Sequence, residues 1–298
     1  MAGQQQFYLG CAVWAYKGWV GEVYPSGSSP SRFLQLYGDR FTAVEGNSSF
    51  YAVPSASALT RWVAQTPAGF QFCPKFPQAV THQGCLQPQI AAARRFQAHM
   101  AEHLGDRLGP LIVQLPPRYS PESRQDLTTF LQALVGERAI ALEVRHHHWF
   151  TTEAAAMLNT LLQDLGVGRV LLDTRPIYQC PDDPQLHSER RKPDVPLQPF
   201  LTADFSLVRF ISHPQRARNQ PYLQEWSQRL DDWLRQGQRI YYFVHCPVED
   251  YSPLIAREFY RNLVEQGAPV PPLPWEAIAA PQQLDLFASV DPTSNHPK

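Results

Sequence analysis

The chain has 298 residues, enough for one large domain or two small ones, and 44% of them are hydrophobic. A formal net charge of −1 excludes a global electrostatic attraction to nucleic acid, so any such contact needs a local basic patch or a partner that delivers the protein. Five scattered cysteines argue against a disulfide framework or zinc cluster, and without a signal segment or membrane-length apolar run we expect a soluble, cytoplasmic protein.

Short apolar runs alternate with helix-like segments along the chain. The runs are apolar on both faces, as buried parallel strands are. The predicted strands are residues 7–13, 41–45, 70–75, 111–115, 140–144, 170–172, 207–211 and 240–244. The predicted helices are residues 31–37, 56–64, 89–104, 121–134, 152–165, 222–235 and 253–265. Eight alternating strands predict an α/β protein with a TIM-type (β/α)8 barrel over residues 5–267, and a doubly wound open sheet is the alternative.

Two long loops interrupt this alternation. Residues 14–30 follow the first strand and are rich in aromatic residues and glycine, whereas residues 174–199 follow the sixth strand and carry six prolines. Loops of this length are usually functional or disordered. Aromatic residues such as Trp14, Tyr16 and Tyr51 are expected either to stack on a sugar or base, or to form a satellite core beneath the loops.

Polar side chains concentrate at the predicted carboxyl ends of the strands, where the active sites of barrels lie. They are Glu45, Asn47, Lys75, Gln114, Glu143, Arg145, His146, Asp173, Arg209, His213 and His245. Glu45 and Glu143 are candidates to hold a metal, to act as general acid and base, or to pair structurally with Lys75 and Arg145. Lys75 and Arg145 suit a phosphate or carboxylate, and a buried Lys75 is alternatively a Schiff-base residue.

Histidines near these strand ends raise the question of a metal. Adjacent side chains of His146, His147 and His148 point apart on an extended chain, so we expect His146 alone to line the site. Together with Asp173 and the two glutamates, His146 could ligate a divalent metal, although the sequence spacing of these residues is not diagnostic of a metal site. His82 is expected either to transfer protons at the mouth or to cap loop backbone.

These same residues lie in motifs that resemble the YecE-like family, known as domain of unknown function 72. The matching segments are residues 10–19, residues 44–51 (Val-Glu-Gly-Asn-Ser-Ser-Phe-Tyr), residues 70–77, Thr81-His82, residues 114–117 (Gln-Leu-Pro-Pro) and residues 143–150 (Glu-Val-Arg-His-His-His-Trp-Phe). The resemblance implies a TIM-type barrel with one conserved pocket, and it carries over best to Glu45, Asn47, Lys75, His82, Gln114, Glu143, Arg145, His146 and Trp149. The chain departs from the family pattern at Ala52, around His213 and at Val244-His245.

Near its C-terminus the chain reads Gln283-Leu284-Asp285-Leu286-Phe287. The pentapeptide resembles the short peptide by which bacterial polymerases and repair proteins dock on the replication sliding clamp. Leu286 and Phe287 would fill an apolar pocket and the Gln283 amide would hydrogen-bond its rim. We therefore expect residues 268–298 to be a proline-rich linker and a disordered tail, and the alternative is an amphipathic helix packed on the main domain.

Together these features predict an enzyme acting on a phosphorylated or nucleic-acid-derived substrate and recruited to the clamp. Its most concrete form is metal-assisted phosphoester hydrolysis, with Glu45, Glu143 and Asp173 as ligands or base and with Lys75, Arg145 and His82 stabilising charge. The expected substrate-binding residues are Trp14, Tyr16, Asn47, Tyr51, Gln114, His146, Trp149, Asp173, Arg209 and His245. The alternatives are a non-catalytic ligand-sensing adaptor, or a metabolic lyase or isomerase with an incidental tail.

Overall fold

The computed structural model describes residues 5–136, 138–188 and 191–278, and they form an α/β fold. The strands are β1 (Phe7–Cys11), β2 (Ala43–Gly46), β3 (Gln71–Pro74), β4 (Leu111–Gln114), β5 (Ile140–Glu143), β6 (Gly168–Asp173), β7 (Phe205–Ile211) and β8 (Arg239–His245). The helices are α1 (Phe33–Gly38), α2 (Ser48–Tyr51), α3 (Ala56–Gln65), α4 (Gln78–Thr81), α5 (Ile90–Leu104), α6 (Arg124–Leu134), α7 (Thr152–Leu165), α8 (Arg175–Tyr178), α9 (Gln220–Arg235) and α10 (Ser252–Glu265). Each predicted strand and helix has a counterpart among them.

The strand ladders are parallel throughout the described residues. Six strands form a curled half-barrel sheet in the order β1-β8-β7-β6-β5-β4, and β2 and β3 form a second ladder. Single bridges join Phe72 to Leu108 and Lys75 to Ile112 beside β3 and β4. The predicted parallel α/β fold is confirmed, whereas these ladders alone do not make a continuous eight-stranded barrel.

Nearly every strand residue is buried, because helices cover one face of the strands and side chains fill the other. The approach of β1 to β2 depends on Gly10, where an added Cβ would lie 1.9 Å from the Ala43 carbonyl oxygen. Glycine also ends α7, because Gly166 has a φ of +63°. The carboxyl ends of the strands are thereby held in one region, from which the candidate site is built.

The chain remains packed beyond the last long helix. Leu273 and Trp275 are buried, and Trp275 lies edge-on to Phe41 at 5.3 Å between ring centroids. The Arg257 guanidinium lies 4.8 Å from the centroid of the Trp275 ring. Residues 268–278 therefore belong to the packed unit rather than to a linker starting at residue 268, because they bury apolar surface.

The pentapeptide at residues 283–287 lies outside the described residues. Within the described ranges, no helix is both long and apolar enough to cross a membrane.

Candidate functional site

Arg209 of β7 is the centre of a buried ion network at the carboxyl ends of the strands. Its Nε and Nη2 donate to the two carboxylate oxygens of Glu45 at 2.8 and 3.0 Å, and its Nη1 donates to Glu143 Oε2 at 2.6 Å. Arg209 is 2% exposed and both glutamates are fully buried. Fork-shaped pairing of this kind is the strongest way to hold a guanidinium between carboxylates.

Three further side chains contact the two glutamates. Lys75 Nζ lies 2.7 Å from Glu45 Oε1, His245 Nε2 lies 2.8 Å from Glu45 Oε2, and Arg145 Nε lies 2.5 Å from Glu143 Oε1. Every carboxylate oxygen therefore accepts from at least one cationic or imidazole donor. Buried charges are tolerated when they are paired in this way.

The same contacts set the protonation states. Burial alone would raise the pKa of Glu143, but Arg145 and Arg209 outweigh it and bring the pKa to about 2. Glu45 follows the same logic, with its pKa held well below the usual range by Arg209, Lys75 and His245 against the effect of burial. Burial lowers the pKa of His245 to about 3. Both carboxylates are consequently ionised near neutral pH, and His245 is neutral and donates its Nε2 proton.

A cavity of about 480 Å³ opens above this network. Its wall is formed by side chains of Asn47, Phe50, Tyr51, Lys75, Gln78, His82, Gln114, Arg145, Arg191, Lys192, Pro193 and Arg209. The glutamates lie beneath the wall rather than in it, whereas five cationic side chains line it. The lining of the cavity is therefore electropositive, with several polar groups converging on one volume as they do in ligand sites.

Lys75 and Arg145 present unused donors to the cavity. Lys75 Nζ donates to Gln114 Oε1 at 3.0 Å in addition to its pairing with Glu45, which leaves one of its three protons. Arg145 uses only its Nε within the described residues, so both of its terminal nitrogens are available. Burial and the neighbouring Arg209 lower the pKa of Lys75 to about 8, against the effects of Glu45 and Glu143.

His82 lies in the cavity wall at the end of α4. Its Nδ1 is 2.8 Å from the Thr81 hydroxyl, and its ring packs edge-on to Phe50 with centroids 5.0 Å apart. Burial, together with Arg145 and Arg118, lowers the pKa of His82 to about 4. The imidazole is therefore neutral near pH 7, and at this pKa it is a weak proton acceptor there.

The family is shown by comparison with known proteins. The model of the family described as "Protein of unknown function DUF72" matches residues 8–278. The chain belongs to this family. It is 33% identical over 287 residues to the UPF0759 protein YecE of Escherichia coli strain K12, covering 94% of this chain and 99% of YecE. It is also 30% identical over 247 residues to the UPF0759 protein YunF of Bacillus subtilis, covering 76% of this chain and 82% of YunF.

Crystal structures of two DUF72 proteins share the fold. The Enterococcus faecalis protein superimposes with a TM-score of 0.64 at 16% identity, covering 87% of this chain and 98% of the other. The Thermotoga maritima protein gives the same TM-score at 21% identity, covering 87% of this chain and all of the other. At these identities the likeness concerns the fold alone.

Asp173 is not part of the cavity in this DUF72 chain. Its carboxylate receives Nε and Nη2 of Arg175 at 2.9 and 2.8 Å and the indole Nε1 of Trp226 at 2.8 Å. Asp173 therefore anchors the segment after β6 to α9, and its lone pairs are not directed at the cavity. Asp173 was predicted because it closes β6, but Arg175, two residues past the strand, occupies its carboxylate.

Of the four aromatic residues predicted to bind substrate, three make contacts elsewhere in the fold and one lines the cavity. Trp14 packs edge-on to Trp62 at 5.0 Å, Tyr16 donates to Asp250 Oδ2 at 2.8 Å, and Trp149 is fully buried with its indole N–H on the Tyr119 carbonyl. Of the aromatic candidates, Tyr51 alone combines a place in the cavity wall with high exposure, at 57%. His146 lies outside the wall, where its Nδ1 accepts the His148 N–H at 3.2 Å.

His213 belongs to a second group of possible metal ligands, with Cys180 and Asp182. Their ligand atoms lie within 4.8 Å of one another. However, His213 Nδ1 accepts the Gln215 backbone N–H at 2.9 Å, which places the imidazole proton on Nε2, facing Asp182 Oδ2 at 3.1 Å. A metal needs the lone pair of that nitrogen, so the geometry fits a hydrogen bond rather than an ion.

Two cavity residues, Arg191 and Lys192, were not among the predicted site residues. They come from the proline-rich segment between α8 and β7, where Lys192 N–H donates to Gln185 Oε1 at 2.7 Å. The Arg190-Arg191-Lys192 run was the available signal, because basic residues in a long loop over a barrel mouth are placed to reach a ligand.

Proposed function

We propose that the cavity binds an anionic substrate, phosphorylated or derived from nucleic acid, and that the protein is an enzyme acting on it. The observation that carries the proposal is the wall of cationic side chains above carboxylates that are already paired. Lysine and arginine at a closed site bind phosphate and stabilise charge that develops on it.

Metal-assisted hydrolysis does not fit this donor set. Both oxygens of Glu45 and of Glu143 accept from cationic or imidazole donors, and Asp173 is occupied by Arg175 and Trp226. An ion held by both glutamates would have to compete with Arg209 at each of them. Phosphoester hydrolysis in this site would instead join the oxygen of water to phosphorus and break the ester P–O bond. Neutral His82 would take a proton from the water and return it to the leaving alcohol, and Lys75 and Arg145 would stabilise the developing negative charge.

Turnover of a panel of phosphate monoesters and diesters tests this proposal. Arg145→Met and His82→Asn should lower kcat by about tenfold to a thousandfold, because each removes one stabilising or proton-accepting group. Arg124→Met, which changes an exposed arginine on α6, is the matched control and should be unchanged. Retention of ligand without turnover of any ester by the wild type would favour the non-catalytic sensing role instead.

A lyase or isomerase acting through Lys75 is the second candidate. A buried amine with a pKa of about 8 is populated as a nucleophile near neutral pH. Its Nζ would attack a substrate carbonyl carbon, and loss of water would leave an imine. Borohydride would reduce that imine to a stable secondary amine, which mass spectrometry locates directly because the chain has only four lysines. Trapping glyceraldehyde 3-phosphate at Lys75, absent in Lys75→Arg, would support this reaction; no adduct would dismiss it.

We also infer that the two strand ladders close into one TIM-type barrel. Arg209 of β7 in the larger sheet bonds Glu45 of β2 in the smaller one, and His245 of β8 bonds the same carboxylate. Backbone Thr42 N–H donates to the Leu9 carbonyl at 3.1 Å where β2 meets β1. Contacts across the interior and at this seam favour a closed ring over an open sheet.

Recruitment to the replication sliding clamp remains a proposal that rests on Gln283-Leu284-Asp285-Leu286-Phe287. Trp275 and Glu276 anchor the chain just before it, since Glu276 accepts from Arg257 at 2.7 Å. Binding of the purified protein to its host's clamp should be lost in a Leu286→Ala, Phe287→Ala double variant and kept in Ser289→Ala. Equal binding by all three proteins would refute docking through the pentapeptide.

A further inference from the structure

Lys192 is held in place over the cavity by both of its backbone polar groups. Its N–H donates to Gln185 Oε1 at 2.7 Å, and its carbonyl accepts from the Tyr178 hydroxyl at 2.5 Å. Pro193 follows and restricts Lys192 to an extended backbone. The side chain is therefore presented from a fixed backbone position, although its segment has little regular structure.

The Lys192 ammonium differs from the other cations of the cavity. Lys75, Arg145 and Arg209 pair with buried glutamates, and Arg191 Nη2 pairs with Asp183 Oδ2 at 2.7 Å. Among the described residues, the Lys192 side chain has no hydrogen-bond or ion-pair partner, yet it is half-buried. An ammonium taken out of water without a partner is costly, so its natural counter-charge is a bound anion.

The electrostatics around Lys192 agree with this geometry. Burial lowers the pKa of Lys192 to about 8, with Arg209 and Arg145 adding to that effect and Glu45 and Glu249 opposing it. Five cationic side chains line the cavity, and the carboxylates that pair with them are Glu45, Glu143 and Asp183. These eight groups carry a formal excess of two positive charges, and the buried Glu249, whose pKa burial raises to about 7, removes less than one of them near neutral pH. The lining is therefore more favourable to a phosphate monoester dianion than to a diester monoanion.

We infer that the cavity recognises a terminal phosphate monoester and that Lys192 and Arg145 are its direct ligands. This inference rests on the proposed function, since it names the substrate class of the same site. The terminal phosphate could belong to a small phosphorylated molecule or to the end of a nucleic acid strand, and both present the same dianion.

Phenyl phosphate and methyl phenyl phosphate test this inference, because they share a ring and differ by one charge. Titration calorimetry near neutral pH should show the monoester binding at least about tenfold more tightly than the diester. Lys192→Met should weaken monoester binding about tenfold and bring the ratio of the two affinities towards one, and Lys192→Arg should restore the preference. Lys17→Met, at an exposed lysine outside the cavity, is the matched control. Thermal unfolding establishes that each variant is folded.

The outcomes separate this inference from the function on which it rests. Equal binding of the two esters, or a monoester preference unchanged in Lys192→Met, would overturn the inference and leave an anion-binding site in place. Failure of both esters and of inorganic phosphate to bind would overturn the proposed function itself. A short single-stranded oligonucleotide with a 5′-phosphate or a 5′-hydroxyl identifies the source: tighter binding of the phosphorylated strand indicates a nucleic acid end. Binding of phenyl phosphate alone indicates a small molecule.

Discussion

Replacing Arg209 by methionine should lower the stability of the folded protein more than it lowers the affinity of the cavity for an anion. The change removes three hydrogen bonds of 2.6 to 3.0 Å and leaves Glu45 and Glu143 in the interior with fewer partners. Breaking a buried ion pair from one side costs about 3–5 kcal/mol. In a chain of this length each kcal/mol lowers the melting temperature by about 2 °C, so we expect a loss of about 6–10 °C.

Arg145→Met is the matched comparison, because Arg145 also pairs with Glu143 but its side chain is 17% exposed. Glu143 keeps its bond to Arg209 in that variant, so the loss should be smaller, about 1–3 kcal/mol for one buried acceptor left unpaired. Sulfate affinity should show the opposite order, with Arg145→Met binding more weakly than Arg209→Met. The division into a supporting network and a ligand-facing layer is refuted if Arg209→Met melts within about 2 °C of the wild type, or if Arg145→Met is the less stable variant.

Three further predictions follow from the pKa values and the packing. Sulfate affinity should fall as pH rises through about 8, because Lys75 and Lys192 lose the protons that bind the anion, while sulfate stays a dianion; a flat calorimetric profile would contradict this. The folded-state pKa of Glu143 lies below its unfolded value, so the ionised carboxylate stabilises the folded protein fully above pH 4.5, and this stabilisation is lost as pH falls towards about 2. Glu143→Gln should flatten that part of the acid unfolding curve measured by circular dichroism. Trp275→Ala should cost about 3–5 kcal/mol in urea unfolding through lost packing on Phe41, whereas a cost below about 1 kcal/mol would mean that residues 268–278 contribute little.

The elements of the fold were predictable because local patterns determine them. β4 and β5 are short apolar runs buried on both faces, and α7 ends at Gly166 where a left-handed residue is required. The sequence places the C-terminal end of the packed unit at residue 267, because the prolines before Trp275 indicate a linker. In the structure Trp275 is buried, and that burial depends on tertiary contacts. No local sequence pattern predicts that Trp275 packs against Phe41, which is far from it along the chain.

The site was predictable only as a set of residues at strand ends. Glu45, Lys75, Glu143 and Arg209 converge as the strand-end rule requires, because parallel strands bring their carboxyl ends to one edge. The rule cannot tell which of them face a ligand, and it missed Lys192, whose position depends on hydrogen bonds made within a long loop. Those choices depend on rotamers and partners that only the folded chain fixes.

The hydrogen-bond partners of Glu143 also determine which side chains of the site remain available to a ligand. A carboxylate with a pKa of about 2, both of whose oxygens already accept from arginines, is a weak base, and a metal would have to compete with those arginines for its oxygens. Glu143 therefore serves to hold Arg145 and Arg209 in fixed orientations. Arg145 donates its Nε proton to that carboxylate, which fixes the orientation of the guanidinium. Its two terminal nitrogens remain available to a ligand in the cavity. The cations and His82 accordingly line the cavity, and the glutamates support the cations from beneath.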